Sequence, residues 1–162
     1  MKFLLPLLLA LGTTLVQAQD FTIPTVDYSD EASYRAQEQN VVDAVDYLIN
    51  NPVNRKPAKR QAVNSYLLEW VTGTPTMTIS LSQEVAPFME CGDCLLLYMG
   101  AYAKETIVNA GGSVADHNVA AVNTVLDFYE KERAALGKNK EAEKFLKLRK
   151  KGKLEARIRA AS

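Results

Sequence analysis

The sequence predicts an all-α fold, an irregular helical bundle of about five helices. Three observations carry this reading. Apolar residues recur at helical spacing in successive stretches, caps and stop signals bracket those stretches, and only one short stretch alternates as a strand would.

The first helix is expected from about Asp30 to Asn50. Ser29 is a candidate cap, and Asp30 and Glu31 suit the positive end of the helix dipole. Tyr34, Val41, Val45, Leu48 and Ile49 share one side of the helical wheel, with Gln39, Asp43 and Asp46 opposite. Asn50-Asn51-Pro52 ends it, because the residue before a proline avoids the helical region. The second helix follows the basic loop Arg55-Lys56-Pro57 and runs to about Thr72, with Val63, Tyr66, Leu67, Trp70 and Val71 on its apolar stripe. Gly73 stands where a left-handed cap is wanted, with Pro75 just beyond. Thr76 to Ser82 alternates Met77, Ile79 and Leu81 with hydroxyl residues; with no partner strand in view, it reads as an extended linker.

The third helix begins near Cys91 or Asp93 and ends before Gly111-Gly112. Its stretch from Leu95 to Tyr102 is apolar nearly all the way round, which suits the middle of a bundle. The fourth starts at Ser113, whose hydroxyl forms a capping box with Asp116, and closes at Gly137; Val119, Val122, Leu126 and Tyr129 mark its buried stripe. The fifth covers about Asn139 to Lys151, and Gly152 breaks it. Tetratricopeptide-like helical hairpins, with a period of about 34 residues, are the alternative arrangement, but two full copies do not align.

Ahead of these helices, Lys2, the apolar run Leu4 to Val16 and the small residues of Val16-Gln17-Ala18 have the order of a secretory signal. The run covers 13 residues, short of the ~20 that a membrane-crossing helix needs. The expected organisation is a signal peptide at 1–18, a helical domain at 19–137, and a basic helical tail of the same domain at 138–162. The protein is thus expected to be exported, to the periplasm or beyond the cell. Its 144 remaining residues suffice for one core.

The charge is divided. Lys138 to Arg159 holds ten Lys or Arg and three Glu, a balance of +7, while the rest of the mature chain carries −8. Opposite halves of this kind pair internally or offer one half to a partner. The tail is expected to dock through Phe145 and Leu148 near Asp43 and Asp46 of the first helix. Lys147, Arg149, Lys150, Lys151 and Lys153, with Leu154 and Ile158 beyond Gly152, form the candidate interaction surface. The partners in view are another protein, a second copy of the chain, or an anionic membrane surface. Nucleic acid is disfavoured by the near-neutral whole.

The stretch Leu68-Glu69-Trp70-Val71-Thr72-Gly73-Thr74-Pro75 and the tail from Glu143 to Glu155 resemble a group of uncharacterised small secreted helical proteins of Gram-negative bacteria. The resemblance implies export and helicity and brings no catalytic residues. The cysteine pair stands outside its pattern.

Cys91-Gly92-Asp93-Cys94 is the sharpest chemical motif. At the start of a helix such a pair can serve thiol-disulfide exchange, since the helix N-terminus stabilises a thiolate. Here the βαβ setting of such enzymes is missing, and Glu90 and Asp93 disfavour a thiolate. A passive local disulfide is the expected state. His117 is the only histidine, so a four-ligand zinc site and a serine or cysteine triad both lack partners; a surface or capping role is expected for it. Carboxylate pairs such as Asp43 with Asp46 lie on a polar helix face, and phosphate-binding glycine patterns are absent. The reading is a non-catalytic binding or structural module without cofactors, against the alternative of an envelope thiol-disulfide oxidoreductase.

Cleavage after Ala18 makes Gln19 the first residue of the exported protein. Intact mass of the exported product checks this, and a mature species that retains Met1 or Lys2 would contradict it.

Overall fold

A helix that is apolar on every side has to be surrounded, and the helix from Gly92 to Val108 is surrounded here. A computed structural model describes residues 20–88 and 90–162 of the chain. The expected signal at 1–18 and the start at Gln19 lie outside the described residues. Among the described residues the fold is all-α, with seven helices and no strand. They are α1 (Glu31–Arg35), α2 (Glu38–Asn50), α3 (Pro57–Gly73), α4 (Gly92–Val108), α5 (Val114–Leu136), α6 (Lys140–Lys150) and α7 (Leu154–Ala161). α2, α3 and α5 pack around α4, while α6 and α7 lie against α5 and each other. None of these helices is long and apolar enough to cross a membrane.

The count rises from five to seven because the first expected helix is divided and a further helix, α7, follows the break at Gly152. Asp30, not Ser29, caps α1: its carboxylate accepts the Ser33 N–H at 2.9 Å, and its own N–H donates to the Ser33 hydroxyl. The helix then stops at Ala36. The Tyr34 carbonyl accepts the Gln37 N–H three residues on and also the indole N–H of Trp70, both at 3.0 Å. The α-helical ladder resumes with Val41 N–H on the Gln37 carbonyl at 2.9 Å. A tertiary contact made by Trp70 therefore coincides with the break. The break expected at Gly152 is present: its φ of +65° turns the chain between α6 and α7.

Gly73 also departs from its expected role. It is the last residue of α3 and is not left-handed. A Cβ there would overlap the Tyr34 hydroxyl, so the glycine is required by close approach. Other boundaries agree with their signals. α5 is capped by the reciprocal Ser113–Asp116 box and closes at Gly137, and Asn139 caps α6 by accepting the Ala142 N–H at 2.9 Å.

Between α3 and α4 the chain is extended and then coiled, without a strand. Met77 and Ile79 pack on the core, and Val85, Ala86 and Phe88 are buried within it. Phe88 stands between Tyr98 of α4 and Phe145 of α6, with ring centroids 6.4 and 6.2 Å away. The segment acts as a wedge that joins the α2–α5 bundle to the tail.

Two substitutions test this packing by opposite means. Trp70 is fully buried, so Trp70→Ala should destabilise the protein by about 3–5 kcal/mol. A Cβ on Gly100 would stand 3.0 Å from Val45 Cγ2 and 3.4 Å from Leu67 Cδ1, where α2, α3 and α4 converge. Gly100→Ala should cost about 1–3 kcal/mol by overpacking. Denaturant unfolding measures both, and a loss under about 1 kcal/mol for Trp70→Ala would place that side chain outside the core.

Candidate functional site

Cys91 is the N-cap of α4 and Cys94 lies in its first turn, so their Cα atoms come within 5.2 Å and the sulfurs are bonded. Cys91 is 8% exposed and Cys94 0%. The Cys91 N–H donates to the Phe88 carbonyl at 2.9 Å, which ties the wedge segment to the N-cap that the disulfide holds on the first turn of α4. An incoming thiolate must reach a disulfide sulfur along the bond axis, and little of either sulfur is offered. Glu90 is exposed beside the pair, and Asp93 is engaged elsewhere.

Asp93 belongs to a charge cluster that sequence reasoning missed. Arg60 is 4% exposed, and its Nε donates to Asp93 Oδ1 at 2.9 Å. One terminal nitrogen donates to the carbonyls of Leu48 and Asn51, at 3.0 and 3.2 Å, where α2 ends. The guanidinium lies 5.0 Å from the centre of the Phe128 ring on α5. The signal was present: Arg60 extends the Val63, Leu67 and Trp70 stripe one turn upstream, so an arginine stood on an apolar face. The cluster joins α2, α3, α4 and α5 at one point.

His117 is buried, which corrects the surface reading. Its Nε2–H donates to the Asn109 carbonyl at 3.0 Å, Nδ1 lies 3.3 Å from the Thr106 hydroxyl, and the ring meets Tyr102 edge-on. It thus caps the end of α4, where Asn109 is the C-cap. No group of three or more His, Cys, Asp and Glu among the described residues could hold a metal ion. A polar, open cleft of about 420 Å³ lies between the wedge segment and the tail, lined by Glu84, Pro87, Glu90, Glu141, Lys144 and Arg157.

The candidate interaction surface is divided by the structure. Lys147, Lys150, Lys151 and Lys153 are exposed. Arg149 turns inward to Asp127 and Glu130 of α5, at 2.6 and 2.5 Å. Leu154 and Ile158 are 3% and 0% exposed, so they are core residues and form no part of a surface. The break at Gly152 was expected, but its outcome was not: the turn there makes the face of Leu154 and Ile158 the inner face of α7. The docking site is corrected too. Phe145 is buried, but α6 packs on α5 and the wedge segment and not on the acidic face of α2. Asp43 there accepts from Gln39, and Asp46 pairs with Lys104.

Compared with protein-family models, with curated proteins and with solved structures, the chain matches none.

The end of the tail is fastened at one titratable point. Asp116 accepts from the Ser113 hydroxyl and backbone N–H, at 2.7 and 3.0 Å, and from Arg159 of α7 at 2.7 Å. The Ser113 hydrogen bonds, then the guanidinium, hold its carboxyl well below the usual range. A carboxyl depressed in the folded state adds stability above its unfolded pKa of about 3.9, and that part is lost as pH falls toward the folded value. Asp116→Asn should therefore destabilise the protein at neutral pH, and the two proteins should converge as pH falls below about 4. Thermal unfolding across this range checks the sign; a difference that is constant with pH would refute it.

Proposed function

We propose that this chain is a non-catalytic, exported helical protein that binds another molecule through its helical surface, in the periplasm or outside the cell. The observation that carries this reading is the state of its one chemical motif: both cysteines are bonded to each other, and both are buried. His117, the only histidine, is committed to capping α4 and stands on no nucleophile beyond the Thr106 hydroxyl, itself a donor to the Tyr102 carbonyl. The disulfide is a staple in this reading. It keeps the wedge segment seated so that Phe88 supports Phe145 and the tail.

One observation favours the alternative, an envelope thiol-disulfide oxidoreductase. Cys91 occupies the N-terminus of α4, where the helix dipole stabilises a thiolate. Against it stand the carboxylates of Glu90 and Asp93, which oppose that charge. Asp93 is only partly neutralised by Arg60, whose charge is shared with two carbonyls.

A turnover assay separates the two. The purified exported protein, given a thiol reductant, should not accelerate reduction of a peptide disulfide. Replacing Cys91 and Cys94 with Ser should keep the helical circular dichroism spectrum and lower stability by about 2 kcal/mol, the amount that a very short disulfide loop contributes. Efficient catalysis by the wild type, abolished in the double variant, would establish the enzyme and overturn the reading.

A further inference from the structure

Cations in this protein are mostly paired, until α6. Across the N-terminal helices, Arg35, Lys56, Lys59, Arg60 and Lys104 each stand within 4 Å of a carboxylate. On the tail, Arg149 and Arg159 turn to carboxylates of α5, and Lys144 reaches Glu141. Lys138, Lys140, Lys147, Lys150, Lys151 and Lys153 are exposed, and none has a carboxylate within that distance among the described residues. They are not scattered. Lys140, Lys147 and Lys151 fall on one line along the helix and its C-cap, together with Lys144, which pairs with Glu141. Lys150 flanks the line. The opposite side of the helix carries Ala142, Phe145 and Leu146, all buried.

We propose that the outer face of α6 docks this protein on an anionic lipid bilayer. The inference rests on the binding reading above and names the partner of that surface. Like charges three and four residues apart destabilise a helix. α6 keeps four in a row and is held by the docking of Phe145 instead, so the line is rigid and always presented. Two features favour a bilayer over a protein partner. The exposed cations on this face are lysines, compact hydrated point charges suited to diffuse attraction, while Arg149 and Arg159 pair with carboxylates of α5 and Arg157 lies over the Phe145 ring. The line itself carries no aromatic anchor, and protein interfaces have aromatic and arginine cores from which lysine is depleted. A fluid anionic surface needs neither; each lysine close to it adds its own share of attraction.

The test is sedimentation of the full exported chain with large vesicles, either pure phosphatidylcholine or one-third phosphatidylglycerol. Binding is expected only to the anionic vesicles, and it should weaken as added salt shortens the Debye length below about 8 Å. The variant with Lys140, Lys147, Lys150 and Lys151 all replaced by Gln should bind at least about a hundredfold more weakly, since each lysine contributes roughly fivefold. Its melting temperature should not fall, because none of the four is buried or paired. Equal binding to neutral vesicles, or undiminished binding by the variant, would overturn the proposal. So would no binding to either vesicle alongside salt-sensitive capture of polyglutamate, which would make the partner an acidic polypeptide. In each of these outcomes a protein inert in the disulfide assay leaves the non-catalytic reading standing, whereas catalysis there would remove that reading independently of the vesicles.

Discussion

A buried guanidinium cannot be left without partners, and much of the arrangement follows from satisfying Arg60. Its charge is removed from water on α3, and breaking such a group from its partners costs roughly 3–5 kcal/mol. The required acceptors come from the carbonyls that α2 leaves free at its C-terminus and from Asp93 in the first turn of α4. Phe128 of α5 covers the cation with its ring face. One residue thereby ties the end of α2 to the start of α4, with α3 and α5 alongside. The disulfide begins at that same end of α4, so the staple and the charge cluster brace one point.

From that point the order of the molecule runs outward. The apolar α4 is enclosed by α2, α3 and α5, closely enough that a Cβ on Gly100 would stand 3.0 Å from Val45. The wedge segment carries Phe88 from the disulfide to Phe145, and Phe145 fixes α6. Gly152 turns the chain so that Leu154 and Ile158 close the remaining apolar face of α5. Arg159, on Asp116, fastens the last helix to the cap of α5. The opposed charges of tail and body meet in part here: Asp127, Glu130 and Asp116 take up two arginines, and the lysines of α6 remain outside. The division is by geometry, since Arg149 and Arg159 point to α5 and the lysine line lies opposite the buried face of α6.

Local signals were legible wherever one stretch of chain could satisfy them alone. The Ser113–Asp116 box, the stop at Gly137, the Asn50-Asn51-Pro52 terminus and the Cys91–Cys94 pairing all depend on residues within a few positions of each other. The stripe of α3 was visible as well, Trp70 included. What local reading missed required distant groups. The division between α1 and α2 involves a carbonyl shared with an indole 36 residues away. Gly73 is demanded by the hydroxyl of Tyr34 and not by a left-handed turn. Arg60 stood on the apolar stripe of α3, but its acceptors lie on α2 and α4, beyond local reading.

The sequence by itself determined the helical class, most caps and stops, the local disulfide and the concentration of positive charge in the tail. Each follows from backbone hydrogen bonding, side-chain periodicity or composition over short spans. Only the tertiary structure decided which face of the tail is core and which is surface. That choice turns on the positive φ of Gly152, which gives α7 a new axis, and a wheel drawn on the old axis assigns Leu154 and Ile158 to the wrong side. The chain direction after such a turn is set by the apolar surface waiting on α5, and no residue of the tail encodes that surface.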